Sequence, residues 1–252
     1  PELERRLMDV PTDALGPADL FFRAMVLEER GQYRQAWVLE KEALAGIHTS
    51  EYMACWQSQV DYVIAQLAGS KGPVVDLASG RCYLVEEVIQ RSERPIVATD
   101  FSPRVLRRDR AWLEVMGYSE RVDLLAFDAR RTPFRAGSVE TLTSNVGLQN
   151  IEQPGDLMRE LRRIVGGRLL AVSNFYPEDD KSNAAALEEY GLTAHTRKAL
   201  DDLAAAGWEV KAANRCHGLA RPTPTSDVLG GAGIDAFPLC DTVLEWCVLE
   251  AR

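Results

Sequence analysis

Short runs of β-branched residues alternate with amphipathic helical segments along most of this chain, and this alternation constrains the fold most strongly. The first three runs are residues 74–77, 96–99 and 122–127, and a predicted helix follows each of the first two. Such alternation is typical of βαβ units, which build a parallel sheet with helices on both faces. An all-helical or all-β fold is therefore excluded for this part of the chain.

The pattern continues to the end of the sequence. Predicted strands at 139–144 and 168–173 are joined by a helix that Gly166-Gly167 is expected to stop, and two more strands are expected near 208–213 and 243–250. We expect an α/β fold, with a Rossmann-like doubly wound, mostly parallel sheet, an antiparallel last strand and an N-terminal helical cap.

Residues 1–70 differ from the rest because their apolar residues recur at helical spacing. We expect them to form a helical cap or lid, and residues 71–252 to form the Rossmann-like domain. Residues 217–240 are rich in glycine and proline, and a loop of that length is usually functional or disordered. They are interpreted as a lid-like insertion, and the segment 69–73 as the break after the last N-terminal helix.

Composition narrows the class of partner. The 252 residues carry a formal net charge of −9, whereas nucleic-acid binders usually need a basic footprint. The five cysteines show neither a disulfide framework nor zinc-like spacing, and no apolar run approaches the ~20 residues of a membrane span. We therefore expect a cytoplasmic monomer or homodimer that acts on a small molecule, without metal, nucleic acid or membrane.

Acidic residues follow the predicted strands, at the edge where doubly wound sheets bind ligands. Asp76 ends the first strand and is followed by Ala78, Ser79 and Gly80, small residues that let the backbone approach a ligand closely. The Asp76 carboxylate suits a cation such as the ammonium group of an amino acid. It would repel a pyrophosphate.

The next two strand ends extend this pattern. Asp100 is placed to bind both hydroxyls of a ribose, and Phe101 beside it can pack on an adenine face or in the core. Asp128-Ala129 is placed to meet the exocyclic amine of adenine. Asn145, after the fourth strand, is expected at the floor of the crevice.

Over about residues 50–175 the chain resembles the class I S-adenosylmethionine (SAM)-dependent methyltransferases, especially the broad small-molecule group. The resemblance rests on acids and small residues at strand ends and on a Gly-Gly pair before the fifth strand: Asp76, Ala78, Gly80, Cys82, Asp100, Asp128-Ala129, Pro133-Phe134 and Gly166-Gly167. It implies SAM as the cofactor and S-adenosylhomocysteine as the product.

The resemblance also assigns residues outside these motifs. It places Asn145 and Val146 on the sulfonium side of SAM, and it makes Gln149 and Asn150 candidates to face the substrate. Family members often fold a helix over the SAM carboxylate, so Tyr52 is a candidate hydroxyl donor.

The first-strand turn departs from the family at two positions. Ala78 and Cys82 stand where glycines are expected, and Cys82 is predicted to crowd the methionine moiety of SAM. These departures are the only support for a non-catalytic SAM-binding module. A nicotinamide-dependent oxidoreductase is a further alternative because Asp100 lies at a plausible distance from the turn, but the turn lacks GxGxxG.

Methyl transfer from a sulfonium needs collinear alignment and exclusion of water, and it needs a general base only if the nucleophile must lose a proton. His48 and His217 are the candidate bases and rank above His195. The fourth strand does not lead into the Asn/Asp-Pro-Pro-Tyr/Phe run of amide and adenine methylation. The expected acceptor is a small organic molecule or small peptide, through oxygen, nitrogen, carbon or sulfur.

Overall fold

The computed structural model describes residues 2–69 and 72–252. Pro1, and Ser70 with Lys71 in the expected helix break, lie outside the described residues. Contacts divide the chain into two compact units.

The first unit runs to Ala54 and also includes Leu219–Val243, while the second comprises Cys55–Gly218 and Leu244–Arg252. The interpretation of residues 1–70 and 217–240 as a lid stays a prediction.

The first unit is helical. Its helices are α1 (Glu2–Asp9), α2 (Pro17–Glu29), α3 (Tyr33–Ile47) and the start of α4 (Ser50–Leu67), which continues into the second unit. Leu20 on α2 packs with Ala43 and Ile47 on α3 in an apolar cluster. The buried Asp19 carboxylate accepts hydrogen bonds from the Ser226 hydroxyl and from the Val228 N–H at 3.2 Å. The late segment is thereby fixed to the helices of this unit.

The second unit is built on a seven-stranded sheet in the order β3-β2-β1-β4-β5-β7-β6. The strands are β1 (Val74–Asp76), β2 (Ile96–Asp100), β3 (Val122–Ala126), β4 (Val139–Asn145), β5 (Val165–Phe175), β6 (Val210–Ala220) and β7 (Thr242–Ala251). Strands β1 to β5 pair in parallel and β7 pairs antiparallel with β5. The predicted α/β fold, with its mostly parallel sheet and antiparallel last strand, is confirmed.

Five further helices accompany this sheet: α5 (Tyr83–Arg91), α6 (Pro103–Met116), α7 (Pro154–Ile164), α8 (Lys181–Glu189) and α9 (Lys198–Ala205). Fully buried apolar residues of α7, such as Leu157 and Leu161, pack with Leu142 of β4 and Leu169 of β5 in the main core. Burial of this apolar area is the main force that holds helix and sheet together. Among the described residues, no helix is long and apolar enough to cross a membrane.

One predicted turn is part of a strand. Gly166-Gly167 were expected to separate α7 from the fifth strand, but β5 already starts at Val165. The register shifts there, since Val139 pairs with Val165 while Thr141 pairs with Arg168. A Cβ on Gly167 would lie 2.1 Å from the Glu140 carbonyl oxygen, so only glycine permits this bulge.

Strand β6 is also longer than predicted. It was expected to end near Ala213, but it extends to Ala220. Polar residues persist here because β6 is an edge strand, and Asn214 adopts a left-handed backbone (φ 52°) within it. The sequence had suggested that His217 opens the long loop, but the structure places it on β6.

Candidate functional site

A cavity of about 480 Å³ lies at the carboxyl ends of the parallel strands, within the second unit. This is the crevice in which doubly wound sheets bind ligands. Its walls come from the loops after β1, β2, β3 and β4: Leu77, Ala78, Gly80, Thr99, Asp100, Phe101, Phe127, Asp128, Ala129, Arg130, Gly147, Asn150, Ile151 and Glu152.

Asp100 lines this cavity at the end of β2. Its Oδ1 accepts the Ser102 N–H at 2.9 Å, and its Oδ2 accepts the Gly80 N–H at 3.2 Å. A carboxylate offers about four lone-pair positions, so each oxygen retains capacity for one more donor. Two adjacent acceptors on a cavity wall fit a vicinal diol such as that of a ribose.

Phe101 presents an uncovered aromatic face beside Asp100. Its side chain is 73% exposed and lines the cavity, so it is not a core residue. Phe127, which also lines the cavity, packs edge to face with Phe134 with ring centroids 5.6 Å apart. A planar aromatic ligand placed against Phe101 would remove apolar surface from water.

Asp128, at the end of β3, is held by Arg130. The Arg130 backbone N–H and Nε donate to Oδ1 at 2.9 and 3.0 Å, and its Nη2 donates to Oδ2 at 2.9 Å. These bonds lower the pKa of the Asp128 carboxyl. Nε also donates to Oδ2 at 3.3 Å, so an N–H donor of a ligand could reach Oδ2 by displacing this longer bond.

Asp76 has a different place from the one the sequence suggested. It is 2% exposed, does not line the cavity, and its Oδ1 accepts the Thr143 hydroxyl at 2.7 Å. Burial raises the pKa of this carboxyl to about 6. Its backbone carbonyl accepts the Thr99 hydroxyl at 2.9 Å and the Ser79 hydroxyl at 3.1 Å. Asp76 therefore braces the turn from below, and a direct contact with a ligand cation is not available to it.

In the turn after β1, the two residues that stand at expected glycine positions have a strained backbone. Ala78 (φ 53°) and Cys82 (φ 59°) both adopt the left-handed conformation, which L-residues with a Cβ rarely tolerate. Gly147 packs against this turn so closely that a Cβ on it would lie 2.9 Å from the Ala78 carbonyl oxygen. The turn thus keeps the backbone shape of a glycine-rich loop, with alanine and cysteine at two of the glycine positions.

Cys82 does not crowd the cavity. It is 1% exposed, and its thiol lies against Asp109 of α6, where burial and this acid raise its pKa well above the ordinary value. Burial likewise raises the pKa of Asp109 to about 6, although Arg108 binds it at 2.6 Å. Arg108 also donates to the Gly80 carbonyl at 2.7 Å, so α6 supports the turn from outside.

The loop after β4 forms the opposite wall. The Asn145 side-chain oxygen accepts the Trp56 indole N–H at 3.0 Å, and Asn145 does not line the cavity. Val146 adopts a left-handed backbone (φ 55°), which is a true outlier for a β-branched residue. Such strain persists only where the surroundings impose it, and it is frequent at functional sites.

Gln149 and Asn150 are separated by burial, although both were expected to face a substrate. Gln149 is 1% exposed and its amide nitrogen donates to the Asn174 carbonyl, so it faces inward. Asn150 is exposed and lines the cavity. Its Oδ1 lies 3.2 Å from Nε2 of His195, the histidine that sequence reasoning ranked last. Chain distance hid this contact, and no sequence signal pointed to it.

Comparison with known proteins identifies the domain. The family described as "Methyltransferase domain" matches residues 75–171. The demethylmenaquinone methyltransferase of Mycobacterium tuberculosis (strain H37Rv) is 33% identical over 128 residues, which cover 50% of this chain and 50% of that protein. The chain therefore spans about half the length of the curated relatives it matches.

Two solved structures share the fold. The YcgJ protein of Bacillus subtilis has a TM-score of 0.60 and 14% identity, covering 77% of this chain and 97% of its own. The geranyl diphosphate C-methyltransferase of Streptomyces coelicolor A3(2), crystallised with Mg²⁺, geranyl diphosphate and S-adenosyl-L-homocysteine, has a TM-score of 0.54 and 14% identity over 78% of each chain.

Residues 75–171 are thus similar to the methyltransferase domain family, and the sheet has the fold of the solved methyltransferases. The resemblance inferred from the strand-end acids is thereby confirmed. The matched residues include Asp100, Phe101 and Asp128, which line one cavity.

Two candidates lie outside the methyltransferase domain, in the helical unit. The rings of His48 and Tyr52 stack with centroids 4.3 Å apart. Burial lowers the pKa of His48 to about 4, whereas burial and Asp235 raise the pKa of Tyr52. Both side chains are therefore neutral near pH 7. Their predicted roles toward SAM and the acceptor stay predictions, as does that of the exposed His217.

No group of three or more His, Cys, Asp or Glu residues is arranged to hold a metal ion in the part of the chain that the structure describes.

Proposed function

We propose that this chain is a SAM-dependent methyltransferase that transfers a methyl group to a small organic molecule. The observation that carries the proposal is Asp100, whose two oxygens each keep a free acceptor position on a cavity that also presents Phe101 and Asp128. A ribose diol, an adenine face and an adenine amine are the three groups that such a wall would bind.

The described residues fit SAM. Asp100 would accept the ribose hydroxyls, Phe101 would cover the adenine, and Oδ2 of Asp128 would accept the adenine amine. Ala78 and Gly80 bring their backbone to the cavity wall. SAM supplies a methyl group that is already activated when it binds. The chain's own task is to orient the acceptor in line with that methyl and to exclude water.

The acceptor is proposed as a small molecule because the matched relatives are named for methylation of demethylmenaquinone, a small molecule. Since these relatives are 33% identical over half of the chain, the naphthoquinol ring is a starting probe for the assay. A small peptide is the second candidate acceptor. Product analysis identifies the acceptor atom.

Titration calorimetry with SAM, S-adenosylhomocysteine and NAD tests the cofactor. We expect binding of the two sulfur compounds and none of NAD, since the turn lacks GxGxxG. Binding of NAD alone would overturn the proposal in favour of an oxidoreductase.

Turnover is tested separately with SAM carrying a tritiated methyl group. We expect label to appear in at least one acceptor of a panel that includes 1,4-naphthohydroquinone and short peptides. Tight SAM binding without transfer to any acceptor would favour the non-catalytic module.

A further inference from the structure

Four polar side chains meet at the carboxyl ends of β4 and β5: Gln149, Asn150, Asn174 and His195. Gln149 and Asn174 are 1% and 5% exposed, and Asn150 reaches the cavity. We call this set the amide cluster. It carries no formal charge as long as His195 is neutral.

The hydrogen bonds of Asn150 fix its orientation. Its Nδ2 donates to the Val146 carbonyl at 3.0 Å, and a carbonyl can only accept. Oδ1 must therefore face His195, so Nε2 of His195 carries the proton and donates across 3.2 Å. The tautomer of His195 follows from this geometry, and its Nδ1 is left as an acceptor.

His195 acts through Asn150 on the strained turn. The Asn150 side-chain amide accepts the Nε2–H of His195 and donates to the carbonyl of Val146. The backbone of Val146 is left-handed. The Val146 N–H is held by the Val172 carbonyl at 2.9 Å. Together these bonds keep the wall formed by Gly147 and Asn150 in one conformation, which strain alone would not allow.

Strand order places the amide cluster away from the proposed nucleoside site. Asp100 and Asp128 end β2 and β3, which lie on one side of β1, whereas β4 and β5 lie on the other. A cofactor whose ribose and adenine occupy the β2–β3 side leaves the β4–β5 side for the methyl acceptor. Asn150 keeps one amide N–H and one Oδ1 lone pair for a ligand in this position.

We propose that His195 is a positioning residue that holds Asn150 toward the acceptor, and that the acceptor is an uncharged molecule with an oxygen group at this wall. The inference rests on the proposed function and deepens it. Charged acceptors are disfavoured because a carboxylate or diphosphate would need cationic partners, and the amide cluster has none.

The environment of His195 favours a positioning role over that of a general base. Burial lowers the pKa of its imidazole to about 4, so the neutral ring is a weak proton acceptor. In the described residues, Nδ1 of His195 and Oε1 of Gln149 are buried without a hydrogen-bond partner. Both are acceptors, which again suits a neutral cluster next to hydroxyl or amide groups.

The enzymatic test compares His195→Phe, which removes the donor, with His195→Gln, whose side-chain amide can donate to Asn150. With 1,4-naphthohydroquinone as acceptor, we expect His195→Phe to lower kcat/KM about 5- to 10-fold. This is the effect of losing one hydrogen bond and of some disorder in the turn at Val146. His195→Gln should recover most of it. The Kd of S-adenosylhomocysteine should change less than about twofold in both.

The exposed change Glu188→Gln on α8 is the control and should match the wild type. Equal impairment of both His195 variants would show that the residue only packs, and would overturn the proposal. Full activity of His195→Phe would also overturn it. Failure of the wild type to bind S-adenosylhomocysteine would instead overturn the proposed function.

Two measurements keep the proposal testable without turnover. In ¹⁵N-labelled protein, the ring signals of His195 should show the Nε2–H tautomer. Asn150→Ala should remove the protection of this Nε2–H proton from exchange with solvent. An Nδ1–H tautomer would contradict the proposal. Calorimetry on the S-adenosylhomocysteine complex should show tighter binding of 1,4-naphthohydroquinone than of its 2-carboxylate. Preference for the carboxylate, or no binding of the neutral probe, would overturn the acceptor class.

Discussion

The two sides of the cavity are built in different ways. On the β2–β3 side, Asp100 ends β2 and Asp128 follows β3, and their partners Ser102 and Arg130 lie two residues further on. On the β4–β5 side, His195 meets Asn150 from 45 residues away. The contacts on the first side join residues close in sequence, so the sequence predicts them. The contact on the second side joins distant residues and forms only when the chain folds.

This difference separates the carboxylates that line the cavity from a wall of neutral amides. It also divides the strand-end acids, which look alike in sequence. Asp100 keeps free acceptors on the cavity, Asp128 shares its charge with Arg130, and Asp76 is buried under the turn. Position at a strand end therefore predicts proximity to the site, but burial decides which acid can touch a ligand.

The largest expected effect is on Asp100. Asp100→Asn removes the charge and turns one acceptor oxygen into a donor, so we expect the Kd of S-adenosylhomocysteine to rise about 10- to 100-fold. Calorimetry measures this directly. Asp123→Asn, on exposed β3 surface, should leave the Kd unchanged. If the two variants bind equally well, Asp100 does not hold the ribose.

The second effect is a change in stability with pH. The pKa of Asp76 is raised to about 6 in the folded state, so stability is present at low pH and is lost as pH rises toward and through 6. Asp76→Asn removes this loss. Its free energy of unfolding relative to the wild type should increase by about 1–1.5 kcal/mol between pH 5 and pH 8.

Urea unfolding at the two pH values measures this difference. A constant difference between the two proteins would mean that Asp76 is not held in its neutral form. Loss of S-adenosylhomocysteine binding as large as in Asp100→Asn would return Asp76 to the ligand-binding acids.

The third effect concerns strain in the turn after β1. A left-handed residue with a Cβ costs about 1–2 kcal/mol, and glycine loses about 0.5–1 kcal/mol of chain entropy in return. Ala78→Gly should therefore raise Tm by about 2–4 °C. Ala98→Gly, buried in β2 and absent from the left-handed residues, should lower Tm. A lower Tm for both would show that the turn is not strained.

The smallest effect is expected at Arg130. Its ion pair with Asp128 is partly exposed, and such pairs contribute little. Because a ligand N–H would displace only the long 3.3 Å bond from Nε to Oδ2 of Asp128, Arg130→Ala should change the Kd of S-adenosylhomocysteine by less than about threefold. A tighter Kd by tenfold or more would show that Arg130 competes with the ligand for Asp128.

Sequence reasoning predicted the parallel strands, the helices between them and the antiparallel last strand because each depends on local periodicity. It missed the β5 bulge because the contact that demands glycine, at Glu140, lies on a neighbouring strand. It also placed Cys82 at the cavity, since sequence does not reveal that a left-handed backbone turns the thiol toward Asp109.

The candidate site divides in the same way. Asp100 and Phe101 line the cavity as their strand-end position predicted. Gln149 and Asn150 are adjacent in sequence, yet one is 1% exposed and the other reaches the cavity, because a 3-10 turn at Leu148–Asn150 points them in different directions. His195 could not be ranked from its neighbours, since its partner Asn150 lies 45 residues away, in the turn after β4.

The buried thiol of Cys82 has an experimental use. Only the thiolate reacts with disulfide reagents, and here burial and the nearby acids keep the thiol protonated. Modification therefore requires the turn after β1 to open, while the exposed Cys240 reacts at once and calibrates the reagent. Cys55 and Cys247 are buried as well, so peptide mass spectrometry follows the label at Cys82, whose slow rate reports how often the unmutated protein exposes this turn. Any compound that closes over Gly80 should lengthen that interval, which turns Cys82 into an intrinsic chemical sensor for ligand screening.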